Sequence, residues 1–388
     1  MEKLKLISKR IKNPIGCLPL RKYASSAKSV LIITDDNTRF TPLKSILPIV
    51  LNELRDAGIT NKQLKILIAS GTHRPMTKKE IRDKFGSALA ANYKIYNHSW
   101  NKESSLSRIS EKIRGRRICI NRLAKEADFI VGIGSIVPHA TTGFSGGGKI
   151  ILPGICGKET VEDMHWEALN FQMKEILGVY DNPMRRRVDS VAEKSGLKFI
   201  VNAIMDCKGR LVDVVAGDPV KAHKKGVELA KAIFGLPMDS LADIVIADAK
   251  PMDIDLRQAI KAVASSELAV KDGGVIILLA RCPEGAAPQF PEFEKYGFSD
   301  PDKLKVMAEK GKINRLAAYT LIAIGRIIKY KAKVILVSKG IPRGAAEKLG
   351  FLWARSLEAA LRKAKDLSGQ NARVVFLKRA CEVLPLMN

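Results

Sequence analysis

Residues His139-Ala-Thr-Thr-Gly-Phe-Ser-Gly-Gly-Gly-Lys149-Ile-Ile-Leu-Pro-Gly, with His165 beyond them, put a glycine run, one lysine and two histidines within 27 residues. The adjacent Gly146, Gly147 and Gly148 lack the Cβ atoms that would keep a ligand from the backbone. Their N–H groups can form an anion-binding nest. Lys149 follows as a point charge or an amine nucleophile. The pattern is that of a site for a phosphate-bearing ligand, with histidine chemistry beside it.

Gly143-x-x-x-x-Gly148-Lys149 also fits the first seven positions of a P-loop. The eighth position needs a Ser or Thr hydroxyl for Mg²⁺, and here it is Ile150. Pro153-Gly154 then interrupts any long helix. A nucleoside triphosphatase is set aside on those grounds.

His73 and His139 each follow the end of an apolar run, and His165 lies in an early helical segment, Glu159-Thr-Val-Glu-Asp-Met-His165-Trp. Three of the five histidines thus fall in polar clusters, while His98 and His223 read as structural or surface groups. Two histidines on opposite sides of a bound carbon suit a reversible stereochemical change, one taking a proton and the other returning one. No H-E-x-x-H, H-x-x-E-H or cysteine cluster supplies a metal cage. A metal at His165 must therefore find most of its ligands elsewhere, for example on a cofactor. Arg39 and Lys261 are candidate carboxylate binders. Gln258 and Lys261 are three residues apart and share one helix face.

Short β-branched runs recur at α/β spacing and must position these groups. They span 29–36, 64–71, 128–135, 197–206, 243–249, 273–280, 333–340 and 372–378, with helical patterns at 43–58, 219–235, 255–271 and 356–368. The class is α/β, with parallel-rich sheets covered on both faces. A pause around Gly235-Leu-Pro-Met-Asp divides the chain into an N-terminal cofactor-binding and catalytic domain, 1–238, and a C-terminal domain, 239–388, that contributes substrate-binding residues. Ligands of open α/β sheets bind beyond the carboxyl ends of strands. Three polar clusters stand at such ends: Asp35-Asp36-Asn37-Thr38-Arg39, Gly71-Thr72-His73-Arg74, and the stretch from His139 to Lys149.

The 388 residues, 46% hydrophobic and 27% charged, suit a soluble protein of two domains. No run approaches the ~18 apolar residues of a membrane span, and no signal-peptide pattern opens the sequence. Six scattered cysteines read as free thiols of a reducing cytoplasm. The net charge of +26 is spread along the chain without aromatic–basic interleaving, which argues against nucleic acid and for a solvated basic surface. Such a field also draws acidic small molecules.

Taken together, these residues resemble the lactate racemase family, which uses a nickel-pincer nucleotide. Asp36-Asn-Thr-Arg39 is similar to that family's D-x-T-R, Gly71-Thr-His73-Arg to its G-T-H-R, and Gln258-x-x-Lys261 to its Q-x-x-K. His139, Lys149 and His165 reproduce its spacing of ten and then sixteen residues. The resemblance covers nearly the whole chain. It implies that Lys149 bonds covalently to the cofactor and that His165 is the single protein ligand to nickel. It implies that His73 and His139 are the acid/base pair and that Arg39, Gln258 and Lys261 bind the substrate carboxylate. Asp36 then orients its neighbours, and the Ser145, Gly146, Gly147 and Gly148 amides are expected to hold the cofactor phosphate. The implied reaction is racemisation or epimerisation of a 2-hydroxy acid through a planar 2-oxo intermediate, in an interdomain active-site cleft, with cofactor-maturation proteins as partners.

Two positions depart from the family pattern. Arg257 precedes Gln258 and Pro138 precedes His139, where the family's lactate enzyme is expected to carry an aromatic and an aliphatic residue. Arg257 could accept a second carboxylate or a polar tail, so lactate itself is not the expected substrate. The rival readings are a non-racemase oxidoreductase on the same cofactor, and a non-catalytic protein that binds a phosphate ligand or nucleic acid.

Overall fold

The computed structural model describes residues 2–387. Its site-bearing strands in the first half are β1 (Val30–Asp35), β2 (Leu64–Ala69), β3 (Ile95–Asn97), β4 (Phe129–Ser135), the short β5 (Pro138–His139) and β6 (Gly143–Phe144), β7 (Leu197–Met205) and β8 (Leu211–Gly217). Six of them form one sheet in the order β8-β7-β4-β1-β2-β3. Every pair in it is parallel except β7 with β8. β1 and β4 are buried along their whole lengths, which is why their sequences are apolar on both faces. Ile32, Val131 and Val201 from the sheet share a core with Leu47 and Val50 of helix α1 (Leu43–Asp56).

β1 lies between β2 and β4, so the chain leaves it in one direction and later returns on its other side. Thr34 is level with Ile68 on β2 and with Ile133 on β4. The carboxyl ends of these three strands are therefore aligned, and the three polar clusters follow directly from them. That is a topological switch point of an open α/β sheet.

The second half builds β9 (Ala242–Asp248), β10 (Val270–Leu279), β11 (Ala332–Val337), β12 (Leu352–Trp353) and β13 (Val374–Leu377), in an all-parallel sheet ordered β12-β11-β10-β9-β13. Ile244, Val275, Ile277 and Ile335 pack there with Ala360 and Ala364 of the C-terminal helix. Ser356 caps that helix by accepting the Ala359 N–H at 3.2 Å.

Further helices used below are α2 (Lys158–Ala168), α3 (Pro183–Lys194), α4 (Lys221–Phe234), α5 (Leu256–Ala259) and α6 (Lys261–Glu267). The helix expected over 255–271 stops at Glu267, because Val270 and Lys271 already belong to β10. All eight expected strands are present, with ends shifted by a few residues.

The chain forms two compact units. One runs to Glu167 and resumes over Val179–Ile233; the other comprises Ala168–Gly178 and everything from Phe234 onward. A single cut at 238 misses the Ala168–Gly178 excursion. Its place in the second unit has a clear cause. Leu169 O accepts from Arg326 Nη1 at 2.6 Å, and Leu384 packs so closely on Gly178 that a Cβ there would lie 2.3 Å away. All six cysteines are free thiols. Among the described residues no helix is long and apolar enough to cross a membrane.

Candidate active site

The loop after β1 turns on its own aspartate. Asp36 Oδ1 accepts the Thr38 N–H at 3.1 Å and the Thr38 hydroxyl at 2.5 Å. Its other oxygen faces His73 Nδ1 at 2.7 Å, from the loop after β2. Burial pushes the Asp36 carboxyl up, but the bond from His73, its charge, the Thr38 bond and the Arg39 charge outweigh it and hold the group down at about 2. Asp36 is therefore an anion, and His73 donates through Nδ1–H. The neutral ring then carries its lone pair on Nε2, the arrangement of a general base. Trp100 Nε1 donates to the His73 carbonyl at 3.3 Å, and the His73 side chain is 44% exposed, so the ring is fixed yet reachable.

Behind this pair Asp35 is buried beside Lys84, whose Nζ lies 3.0 Å from Oδ1. Burial pushes the Asp35 carboxyl up against the pull of Lys84. Lys84 Nζ also donates to Arg39 O at 2.8 Å, and the Arg39 guanidinium donates to the carbonyl and hydroxyl of Thr38. The Arg39 guanidinium thus bonds neutral oxygens, while its charge also acts on the Asp35 and Asp36 carboxylates.

His139 sits on the β5–β6 hairpin, paired with Gly143. Its Nδ1 accepts the Thr141 backbone N–H at 3.1 Å, and the Thr142 hydroxyl lies 3.4 Å away.

The segment leading to Lys149 is anchored on nearly every peptide group. Ser145 N–H donates to Val137 O at 2.9 Å, and its hydroxyl donates to Ser135 O at 2.8 Å. Ser145 O accepts from His223 Nε2 at 2.8 Å. Gly146 O accepts from Arg185 Nη1 at 3.4 Å, and Phe144 O from Arg185 Nη2. Gly147 N–H donates to Asn202 Oδ1 at 2.8 Å. Arg185 comes from α3, Asn202 from β7 and His223 from α4, so three elements converge beneath one turn.

The glycines are crowded by these neighbours. A Cβ at Gly146 would lie 2.8 Å from Asn202 Oδ1, at Gly147 2.8 Å from His223 Cγ, and at Gly148 2.7 Å from Ala192 Cβ. Protein, not a ligand, fills the space those Cβ atoms would take. The Ser145 and Gly147 amides donate within the chain, to Val137 O and Asn202 Oδ1. Gly146 and Gly147 also adopt φ of +78° and +56°, which favour glycine. Past Lys149, Gly154 O accepts the Gly71 N–H at 2.9 Å, which ties the lysine segment to the loop carrying His73.

His165 lies on α2 with Nδ1 2.7 Å from Val161 O. A carbonyl only accepts, so Nδ1 carries the hydrogen and Nε2 the lone pair, the form a metal ligand needs. Among the described residues no three His, Cys, Asp or Glu side chains group as a metal cage. In the second unit Lys261 Nζ donates to Gln258 Oε1 at 2.5 Å, so the two do share a face, with the Gln258 amide NH₂ at the other end of the group. The Arg257 guanidinium stacks 4.6 Å from the Phe290 ring centroid, and its Nε is buried without a partner. Burial pulls its pKa down, against the charge of Asp255.

His98 and His223 are both buried. His98 bridges Cys156 O at 2.9 Å and Asn121 Nδ2 at 3.1 Å. The sequence reading missed the anchoring role of Arg185, Asn202 and His223. Asn202 carried a signal, a lone amide inside the apolar run Leu197–Met205; Arg185 in Met-Arg-Arg-Arg looked like any surface charge.

Comparison with known proteins agrees with this architecture. The lactate racemase N-terminal domain matches residues 1–176 and the lactate racemase C-terminal domain matches residues 238–384. The lactate racemase of Thermoanaerobacterium thermosaccharolyticum is 32% identical over 383 residues, covering 98% of this chain and 89% of that protein. That of Lactiplantibacillus plantarum is 30% identical over 380 residues, covering 96% and 88%. The solved lactate racemase apoprotein from T. thermosaccharolyticum superposes with a TM-score of 0.90 at 32% identity, over 99% of this chain and 93% of that one. A Thermotoga maritima protein, 23% identical with a TM-score of 0.73 over 98% of each chain, shares the fold. The chain belongs to the lactate racemase family, a family of isomerases.

Proposed function

We propose that this chain racemises or epimerises a 2-hydroxy acid. The observation that supports it most is the Asp36–His73 pair. It presents an oriented imidazole lone pair at a sheet switch point, where the hydroxyl proton of such a substrate could be taken. Arg39, on the same loop as Asp36, is the proposed partner of the substrate carboxylate. In the second unit, Gln258 and Lys261 form a donor set suited to a carboxylate, and Arg257 to a second acidic or polar group.

The residues fit the family's nickel-pincer nucleotide. The lone pair of His165 is on Nε2, and a lone histidine ligand is consistent with a metal whose remaining donors come with the cofactor. Lys149 is the proposed covalent attachment point, held on a segment anchored from below by Arg185, Asn202 and His223. The bound group supplies hydride-accepting chemistry at C2. The chain's own residues bind the acid by its carboxylate, orient its hydroxyl and move the hydroxyl proton.

Intact-mass spectrometry and nickel analysis of protein co-expressed with cofactor-maturing proteins test this reading. A mass increment at Lys149, nickel near one per chain, loss of both in Lys149→Ala, and racemisation of a chiral 2-hydroxy acid are the expected results. An unmodified, nickel-free chain, beside a correctly loaded control of the same family, would overturn it.

A further inference from the structure

The connector between Lys149 and His165 is held from two sides. Ile155 O accepts the Asn121 N–H at 2.8 Å, and Gly157 N–H donates to Cys119 O at 3.0 Å. The Thr160 hydroxyl oxygen accepts the Cys119 N–H at 3.0 Å. These partners lie on the strand Arg116–Asn121. From the other side, Lys158 N–H donates to Trp100 O at 3.2 Å, and His98 Nε2 lies 2.9 Å from Cys156 O. The grip closes on the turn that launches α2, the helix of His165.

His98 is buried, and the proton chemistry proposed above does not use it. Its form is set on both sides of the ring. Cys156 O only accepts, so Nε2 carries the hydrogen. Asn121 Oδ1 accepts the Leu123 N–H at 3.0 Å, which turns the Asn121 NH₂ towards His98 Nδ1 at 3.1 Å. Nδ1 is therefore an acceptor and the ring is neutral. Burial lowers its pKa, in keeping with that form. The His98 N–H donates to Ile68 O of β2 at 3.1 Å, and Trp100 Nε1 donates to the His73 carbonyl at 3.3 Å. The loop that holds the start of α2 thus hangs from the strand and the loop that carry His73.

We propose that His98, with the Thr160 hydroxyl, positions the start of α2 so that His165 meets the group attached at Lys149. This role rests on the nickel-pincer reading above and adds two residues to it. Lys149 stands on a segment anchored by Arg185, Asn202 and His223, whereas α2 is anchored by the loop of His98 and the strand of Cys119. The two ends of the site are set by different parts of the first unit. A metal–nitrogen bond tolerates a misplacement of only about 0.2 Å. Loosening the grip on Cys156 O therefore costs the metal bond and spares the lysine attachment.

Two substitutions split the two bonds of the His98 ring. His98→Gln can keep a donor for Cys156 O; His98→Asn can keep an acceptor for Asn121. Each is made in the full chain and co-expressed with cofactor-maturing proteins. Intact mass, the rate of nickel loss to a chelator, and thermal unfolding of unloaded protein are measured. Both variants are expected to keep the mass increment at Lys149 and to unfold at similarly lowered temperatures. His98→Asn is expected to lose nickel about tenfold faster than wild type, the scale of a lost outer partner of a metal ligand, and His98→Gln at close to the wild-type rate. Equal nickel loss in the two, or loss that merely follows the unfolding temperature, overturns the role. Thr160→Val serves where His98→Asn does not fold. It removes the Cys119 clamp, leaves His98 in place and is expected to speed nickel loss as well; wild-type retention there overturns the role. Wild type with neither increment nor nickel, beside a loaded control, overturns the nickel-pincer reading and the role with it. A loaded wild type whose two His98 variants hold nickel alike overturns the role alone.

Discussion

Asp36 and His73 are 37 residues apart in sequence and 2.7 Å apart in space, each on a loop leaving an adjacent parallel strand. The strand register brings them together, since Asp35 at the end of β1 is level with Ala69 at the end of β2. A carboxylate behind an imidazole selects the tautomer and steadies the cation that forms on proton uptake.

Asp36→Asn is expected to lower kcat on a 2-hydroxy acid by about 10²- to 10⁴-fold while KM changes little. The amide can present either end to Nδ1 and no longer stabilises an imidazolium. Steady-state kinetics of loaded wild type and variant measure this. A kcat within threefold of wild type would remove Asp36 from the proton chemistry.

The same pair sets a pH dependence of stability. The Asp36 carboxyl is depressed to about 2 in the folded chain, below its unfolded value near 3.8. Its contribution is therefore fully present above about pH 4 and is lost as pH falls towards 2. The stability gap between wild type and Asp36→Asn is expected to be at most about 2 kcal/mol at pH 5 and to narrow steadily between pH 4 and 2. Urea unfolding across that range checks it, and a gap that widens on acidification would contradict the assigned shift.

Gly148→Ala is expected to destabilise the chain by about 1–3 kcal/mol, cofactor or no cofactor. The added Cβ would meet Ala192 Cβ at 2.7 Å and Val188 O at 3.0 Å. Thermal unfolding of unloaded protein is the measurement. An unchanged Tm with lost cofactor loading would return the glycine to ligand contact.

Arg185→Met is expected to cost about 3 kcal/mol and to reduce modification of Lys149. It takes one donor each from Phe144 O, which keeps the Thr142 hydroxyl, and from Gly146 O, which keeps the Lys149 N–H, and it removes the cation beside Asp189. Chemical unfolding and intact mass read the two effects separately. Full stability in the variant would show that the anchoring is dispensable.

Arg257→Ala is expected to shift preference from dicarboxylic towards monocarboxylic hydroxy acids by about tenfold or more, on the scale of a lost charge-assisted bond. The guanidinium stacks on Phe290 with Nε unpartnered, so the protein itself does not account for all of its donors. Comparing kcat/KM for the two acid classes tests it, and an unchanged ratio removes the residue from specificity.

Much of the fold could be read in advance because buried parallel strands write themselves as continuous apolar runs. Ser29–Asp36, for example, differs from the observed β1 only at its ends. The polar clusters were legible for the same reason, since they interrupt such runs where strands stop. What the sequence could not reveal were groups acting at long range through the backbone. Arg185, Asn202 and His223 act by holding carbonyls and an amide of a turn 39 to 78 residues away, and no local pattern marks that. The crowding of the glycine run by protein was not legible either, because a missing Cβ looks alike in sequence whether a ligand or a neighbouring helix needs the room.

The excursion of Ala168–Gly178 bears on how such a chain can be inherited. The polypeptide leaves the first unit after Glu167, returns at Val179 and departs again after Ile233, so three peptide links join the units. A single crossover near 238 between two related genes would pair a foreign second unit with a native Ala168–Gly178. Arg326 and Leu384 would then meet a Leu169 carbonyl and a Gly178 surface that had diverged apart from them. Recombination that respects the structure needs three breakpoints, so the two units are expected to share one ancestry rather than to be shuffled as cassettes.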